Sequence, residues 1–344
     1  MPTSTGDRSQ RPSKGVVRRV VALLATGIGL YVVLPSLVKV VGAWPKLATL
    51  SGVWLVVALM AELSSFTCTF GIQRIVLRTR GWFAVVTAGL CGNAVTNTLP
   101  GGDAAGAAVQ FRMLSAAGVN TDTAAGGLAA SSFLSVGGLL ALPVLTLPAV
   151  FGGPRVNHAL AVAALVGVVG FVLYVGLGVV LLGTERPLVA LGRALQWLGS
   201  KLRRHRPPLV GLDKRLLVQR NEIRRELGRE WRKVLLLVAG RLGLDYLCLL
   251  AALRATGSQP HPWLVLLAYS SAGVIALLPV TPGGLGIVEA SLSGLLVLAG
   301  VGAGNAVVAT LAYRLAQYWL PILAGGVSYW LFRRRYGMAA PSGS

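Results

Sequence analysis

Acidic residues are scarce in this chain of 344 residues, which has 11 aspartates and glutamates against 32 lysines and arginines. Charged residues make up 12% of the sequence, about half the share of a soluble domain. With 54% hydrophobic residues as well, the composition excludes an ordinary soluble protein. In a soluble protein the net charge of +21 would suggest a nucleic-acid partner. Here the basic residues lie between apolar runs, which indicates a membrane protein without a nucleic-acid partner.

Cysteine and histidine are also rare. The three cysteines, Cys68, Cys91 and Cys248, all fall in apolar segments, which is typical of inert buried thiols. The three histidines lie far apart and lack the spacing of a metal site. The sequence contains no Walker phosphate loop, no zinc-protease motif and no nucleophile-elbow motif. We therefore expect no cofactor, no metal and no enzymatic activity.

Long apolar runs fill most of the chain and predict an all-α, polytopic membrane protein. About 20 apolar residues in a helix cross a hydrocarbon core of ~30 Å. Six runs have this length, at 20–41, 50–70, 124–150, 159–182, 234–253 and 306–332. Two pairs of shorter apolar segments are interpreted as re-entrant helical hairpins, 82–99 with 104–114 and 263–278 with 290–303.

Two breaks rich in proline and glycine interrupt the shorter segments. The helix-break residues are Pro100, Gly101 and Gly102 in the first break and Pro282, Gly283, Gly284 and Gly286 in the second. An acid follows each break, Asp103 in the first half and Glu289 in the second. Proline lacks the N–H that a helix needs, and broken helices at membrane depth are tolerated only beside protein or water. Such breaks in both halves of a chain predict a transporter core, with two ordinary loops as the alternative.

The distribution of basic residues predicts the orientation of the chain. If both termini are cytoplasmic, 26 of the 32 lysines and arginines lie on the cytoplasmic side. This is the arrangement that the positive-inside rule favours, and we expect it in the cytoplasmic membrane of a bacterium. The first hairpin must then return to the cytoplasmic side. The second is either a hairpin from the outside, which would complete an inverted repeat with a site near the midplane, or two full spans.

The charge pattern also divides the chain into segments. We predict a disordered cytoplasmic tail at 1–15, one transmembrane domain at 16–335 with halves at 16–183 and 234–335, a basic linker at 184–233 and a C-terminal tail at 336–344. The linker carries 14 lysines and arginines, and its leucines recur at steps of three and four residues. This pattern indicates amphipathic helices that contact anionic lipid head groups. A solvated helical hairpin without a specific ligand is the alternative, and a homodimer is left open.

Ionisable residues inside the apolar segments are the candidates for substrate binding, because such residues are costly in a membrane and mark transport paths. They are Glu62, Asp103, Arg112, Arg241, Asp245, Glu289 and Arg314. Structural roles are the alternatives. Asp103 and Glu289 can cap helices, while Glu289 can form a buried ion pair with Arg314. Arg241 and Asp245 lie four residues apart on one helix face and can pair there, and Glu62 can be a hydrogen-bonded acid within the bundle.

The second break carries a resemblance to a known family. The stretch TPGGLGIVEA at 281–290, followed by Arg314, Tyr318 and Trp319, resembles the lysylphosphatidylglycerol synthase transmembrane-region family. This is the flippase-like domain of multiple peptide resistance factors and their stand-alone relatives. NTLPGGD at 97–103 resembles the family's other motif, and the resemblance covers about residues 18–335. The family often has an arginine three positions after the first acid, where this chain has Gly106, and Arg112 is the candidate replacement.

The resemblance implies translocation of a lipid with a polar head group. We expect translocation rather than synthesis, because no room for a soluble synthase domain remains after Arg335. Without a Walker loop, we also expect no intrinsic ATPase. The alternatives are a membrane-embedded enzyme or accessory subunit of a lipid-linked glycan or aminoacyl-lipid pathway, and a small-solute carrier with a narrow pocket.

Overall fold

A computed structural model describes residues 50–79, 81–99, 102–152, 158–183, 212–277 and 281–337. These residues form ten α-helices, one 3-10 turn and one π-helical segment, and they include no strand. The all-α prediction is confirmed for this part of the chain. The N-terminal tail, the predicted span at 20–41, residues 184–211 of the basic linker, Pro100, Gly101 and most of the C-terminal tail lie outside the described residues.

The helices are numbered here in chain order. They are α1 (Gly52–Val76), α2 (Trp82–Thr98), α3 (Gly102–Ala116), α4 (Thr121–Gly152), α5 (His158–Gly183), α6 (Leu212–Ala255), α7 (Pro262–Ala276), α8 (Ile287–Leu298), α9 (Ala303–Arg314) and α10 (Leu320–Tyr336). The 3-10 turn Pro282–Gly284 precedes α8, and the π segment Leu315–Trp319 joins α9 to α10.

Four of the described helices are long and apolar enough to cross a membrane: α1, α4, α5 and the Glu230–Ala255 part of α6. They coincide with four of the six predicted spans. Over the last predicted span, α9, the π segment and α10 follow one another without a gap. A polytopic membrane protein is therefore confirmed, while the exact number of spans stays a prediction.

The segments predicted as hairpins form short helices. α2 and α3 have 17 and 15 residues, and α7 and α8 have 15 and 12. At 1.5 Å per residue even α2 extends only about 25 Å, which is less than a hydrocarbon core of ~30 Å. α2 packs against α3, and α7 packs against α8. These lengths fit helical hairpins, and their re-entry from opposite membrane faces stays a prediction.

Close packing of α2 against α3 explains the glycine found where the family often has an arginine. A Cβ atom on Gly106 would lie 2.1 Å from Thr96 Oγ1 and 2.4 Å from the Gly92 carbonyl oxygen. No side chain fits at such distances, and glycine allows the two helix backbones to approach. An arginine at position 106 is thus incompatible with this hairpin.

The longest helix, α6, connects the basic linker to the membrane domain. It has 44 residues and runs without interruption from the linker into the span. Its membrane part packs along α1, where the Ser65 hydroxyl donates to the Arg241 carbonyl oxygen at 3.0 Å. The largest buried cluster contains residues of both helices together with residues of α7, α8 and α9. α6 therefore forms one wall of the core in which the candidate residues lie.

Candidate functional site

The second break is a turn that requires glycine. Gly283, Gly284 and Gly286 have φ values of 56°, 69° and 81°, a region that costs other residues roughly 1–2 kcal/mol each. The turn leads the chain from the end of α7 into the first residue of α8. This local sequence signal was sufficient to locate the break.

Glu289 both caps a helix and forms an ion pair with Arg314. Its Oε2 accepts a hydrogen bond from the Gly286 N–H at 2.6 Å, which caps the N-terminus of α8. Its Oε1 accepts from Arg314 Nε at 2.8 Å. Arg314 is only 4% exposed, so this is a buried ion pair, and it joins α8 to α9.

The remaining nitrogens of Arg314 bind other parts of the same region. Nη1 donates to Gln317 Oε1 at 3.0 Å, and Nη2 donates to the Gly283 carbonyl oxygen at 3.0 Å. The guanidinium carbon lies 4.3 Å from the centroid of the Tyr318 ring. Arg314 therefore holds the second break against α9 and the π segment.

The second break lies against the end of α2, the helix that precedes the first break. The Tyr318 hydroxyl donates to the carbonyl oxygen of Asn97, near the end of α2, at 2.6 Å, and the two residues are 221 positions apart. Gly283 lies so close to Asn97 that a Cβ atom on it would be 2.9 Å from Asn97 Oδ1. The second break thus contacts the end of α2 that precedes the first break, and the inverted repeat stays a prediction.

A cavity of about 200 Å³ lies beside this contact, between α4, α6, α7 and α9. Gly283 of the second break forms part of its wall. Its polar lining residues are Arg241, Asp245, Tyr269, Tyr313, Arg314 and Gln317. The rest of the lining is apolar or glycine, so the polar groups are concentrated inside an apolar bundle.

Two tyrosines hold the carboxylate of Asp245. The Tyr313 hydroxyl lies 3.0 Å and 3.1 Å from its two oxygens, and the Tyr269 hydroxyl also donates to it. The buried Nη1 of Arg241 has no hydrogen-bond partner among the described residues. The tyrosines thus bind Asp245, and no ion pair between it and Arg241 is recorded among the described residues. Spacing along α6 places both residues on one face, but the hydroxyls from α7 and α9 occupy the carboxylate instead.

Glu62 belongs to the same cluster, although it comes from α1. It is 2% exposed, and its carboxyl faces Asp245 and Arg241 closely enough to interact electrostatically with both. Its Oε2 has no hydrogen-bond partner among the described residues. A buried polar atom without a partner is costly, so the cluster around Arg241 retains unused hydrogen-bonding capacity.

Asp103 and Arg112 lie elsewhere. Both are exposed on α3, and neither lines the cavity beside the second break. Asp103 occupies the first turn of α3, where a negative charge interacts favourably with the helix dipole. Of the seven candidates, the structure brings together Glu62, Arg241, Asp245, Glu289 and Arg314, and it leaves Asp103 and Arg112 apart from them.

Sequence reasoning missed four polar residues of this region: Asn97, Tyr269, Tyr313 and Gln317. A signal existed for the tyrosines, since a tyrosine in an apolar helix usually needs a hydrogen-bond partner when it is buried. Both hydroxyls could have been matched to the intramembrane carboxylates. Asn97 belongs to the first motif, but nothing local predicts that its backbone oxygen accepts from Tyr318.

The sequence of this chain is similar to those of known membrane proteins. A UPF0104 membrane protein from Methanothermobacter thermautotrophicus is 36% identical over 86 residues, which are 25% of this chain and 24% of that relative. The match thus spans about a quarter of the relative's length. The model of the family described as lysylphosphatidylglycerol synthase TM region matches residues 19–325, which include both breaks and all seven candidate residues. This chain belongs to the lysylphosphatidylglycerol synthase transmembrane-region family.

Proposed function

We propose that this protein moves a lipid with a polar phosphate- or sugar-bearing head group across the membrane, without an ATPase of its own. The observation that carries the proposal is the polar cavity beside the second break. Carrying a charged group through hydrocarbon costs several kcal/mol even after local relaxation. A cavity with ionisable groups at this depth lowers that cost for a head group while the acyl chains stay in lipid.

The cavity offers groups of both signs. Arg241 has a buried nitrogen free to donate, and arginine can bind a phosphate through two parallel hydrogen bonds. Asp245 and its two tyrosines provide a negative, hydrogen-bonding wall. Arg314 is already committed to Glu289, Gly283 and Gln317, so we assign it to holding the site and Arg241 to binding the head group.

The test is flipping of head-group-labelled fluorescent phosphatidylglycerol in proteoliposomes, read by a quencher that cannot cross the membrane. Arg241→Gln removes a charged hydrogen bond of about 1.5–3 kcal/mol, so we expect flipping to slow about tenfold or more. Arg254→Gln is the matched control, because Arg254 lies exposed on the same helix and does not line the cavity. Equal flipping rates for wild type and Arg241→Gln would contradict the role of Arg241, and a wild-type protein that flips no lipid would contradict the function.

The size of the cavity favours one second candidate. A volume of about 200 Å³ also suits a small anionic solute, which would make the protein a carrier. Uptake of labelled phosphate or small organic anions into the same proteoliposomes, without lipid flipping, would support that function instead.

A further inference from the structure

A second, apolar cavity lies on the outer face of α4, α5 and α6 and forms a groove of about 750 Å³. The residues that line it are aliphatic, aromatic or glycine, among them Phe133, Phe171, Val175, Val179, Leu235 and Val238. Its polar side-chain groups are the Trp231 indole N–H and the Tyr174 hydroxyl, and that hydroxyl already donates to the Phe133 carbonyl oxygen at 2.7 Å. Such a lining suits hydrocarbon.

The floor of the groove is built by aromatic rings lying against glycines. The rings of Phe133 and Tyr174 stack with centroids 4.6 Å apart. A Cβ atom on Gly178 would lie 2.9 Å from Phe133 Cζ, and one on Gly137 would lie 3.0 Å from Tyr174 Cε1. Larger residues at either glycine would displace the rings, so the shape of the groove depends on these four residues.

One stripe of α6 connects the groove to the polar cavity. Trp231, Val234, Leu235 and Val238 line the groove, while Arg241, Leu242 and Asp245 continue the stripe into the cavity. From Trp231 to Asp245 the helix rises about 21 Å. The two spaces adjoin at Gly138, whose missing Cβ would lie 2.6 Å from Val238 Cγ1 and 3.0 Å from Leu242 Cδ1.

The far end of the groove is basic and aromatic. Trp231 is 53% exposed, and the Arg232 guanidinium lies 5.5 Å from its ring centroid. Lys233 is also exposed at this end and pairs with Glu230. Tryptophan with arginine and lysine is typical of the membrane–water interface, where the cations attract lipid phosphate.

Because the groove is apolar and its far end is basic, we propose that it binds one acyl chain of a membrane phospholipid whose phosphate lies beside Trp231 and Arg232. This inference rests on the proposed function in one respect, since we take the docked phospholipid to be the transported one. The groove then holds the substrate next to the polar cavity, with Gly138, Val238 and Leu242 packed between the two spaces.

The test uses phosphatidylglycerol with a photoreactive group in the middle of one acyl chain, incorporated with the full-length protein into nanodiscs. We expect labelling of the α4, α5 and α6 peptides that line the groove. Val175→Trp fills the groove and should reduce this labelling several-fold. Val172→Trp is the matched control, because Val172 lies one turn away on α5, is exposed, and does not line the groove.

Labelling spread evenly over the outer helix faces, or equal in the two tryptophan variants, would overturn the proposal. A photoreactive diacylglycerol, which lacks the phosphate, should label the groove more weakly. Equal labelling would show that the basic end does not contribute to lipid binding.

Flipping measured on the same variants separates this inference from the proposed function. Slower flipping in Val175→Trp alone supports both. Groove labelling in a wild-type protein that flips no lipid supports the docking site and overturns the function. Loss of labelling in Val175→Trp with unchanged flipping overturns the docked lipid as substrate and leaves the function standing.

Discussion

At the residue scale, two side-chain networks hold the site, one centred on Arg314 and one on Asp245. The first joins the second break to the end of α2, because Arg314 binds Gly283 and Glu289 and stacks on Tyr318, which donates to Asn97. The second joins α6 to α7 and α9 through two tyrosines. Each network can be weakened by a substitution that keeps the size or charge of the side chain.

Arg314→Lys keeps the positive charge and loses the planar fork that reaches three acceptors at once. Lysine cannot reproduce that geometry, so we expect a loss of stability on the order of 3 kcal/mol, the scale for breaking a buried pair. Thermal unfolding in detergent measures the loss. Arg333→Lys is the control, because Arg333 is exposed at the end of α10, and an equal effect of both substitutions would contradict the role of Arg314.

Tyr313→Phe removes one of the two tyrosine hydroxyls that donate to the Asp245 carboxylate. Tyr269 is then the one tyrosine that still donates to it. An under-bonded buried acceptor costs about 1–3 kcal/mol, so unfolding should occur at a lower temperature than in the wild type. Tyr329→Phe serves as the comparison, since Tyr329 is 41% exposed on α10. Indistinguishable melting of Tyr313→Phe and wild type would show that the hydroxyl is not needed.

At the element scale, the second break depends on glycine for both conformation and contact. Gly283 combines a φ of 56° with close approach to Asn97 and Tyr318. A single methyl group added here would therefore strain the turn and disturb the contact between the two halves of the molecule.

Gly283→Ala should separate the second break from Tyr318 and from Asn97 at the end of α2. Its Cβ would lie 2.4 Å from Tyr318 Cε2, and we expect roughly 2–4 kcal/mol of destabilisation from strain and overpacking together. Gly294→Ala in α8, where a Cβ meets nothing within 4 Å, should be neutral or stabilising. Thermal unfolding and lipid flipping should both be impaired in the first variant only; normal values for Gly283→Ala would argue against a tight contact.

Local features of these elements could be predicted from the sequence, whereas contacts between distant elements could not. The spans, the breaks and the Glu289 cap were predicted because apolar length, proline, glycine and a nearby carboxylate act over a few residues. The contact of Asn97 with Gly283 and the tyrosines on Asp245 join distant segments and depend on how the helices pack. For the same reason the spacing of Arg241 and Asp245 defines a shared helix face but not the partners that lie opposite that face.

At the scale of the whole molecule, the orientation in the membrane stays a prediction from the basic residues. Cysteine accessibility in intact cells can test it, with the native cysteines replaced by alanine. Gln259→Cys, in the loop between α6 and α7, should react with an impermeant thiol reagent from the outside, because that loop is predicted to be external. Gly337→Cys, after the basic end of α10, should react only after the membrane is opened; the reverse pattern would invert the topology.

The central claim is that the contact between the second break and the end of α2 lies inside the bilayer and not at its surface. The membrane depth of this contact can be measured along α2, because its 17 residues run from Trp82 to Thr98, close to the contact at Asn97. Spin labels on Trp82→Cys and Thr98→Cys, in a chain without its native cysteines, report depth in liposomes through their accessibility to oxygen and to a polar nickel reagent. We predict interfacial depth at position 82 and a depth near the bilayer centre at position 98, whereas head-group depth at position 98 would contradict the account.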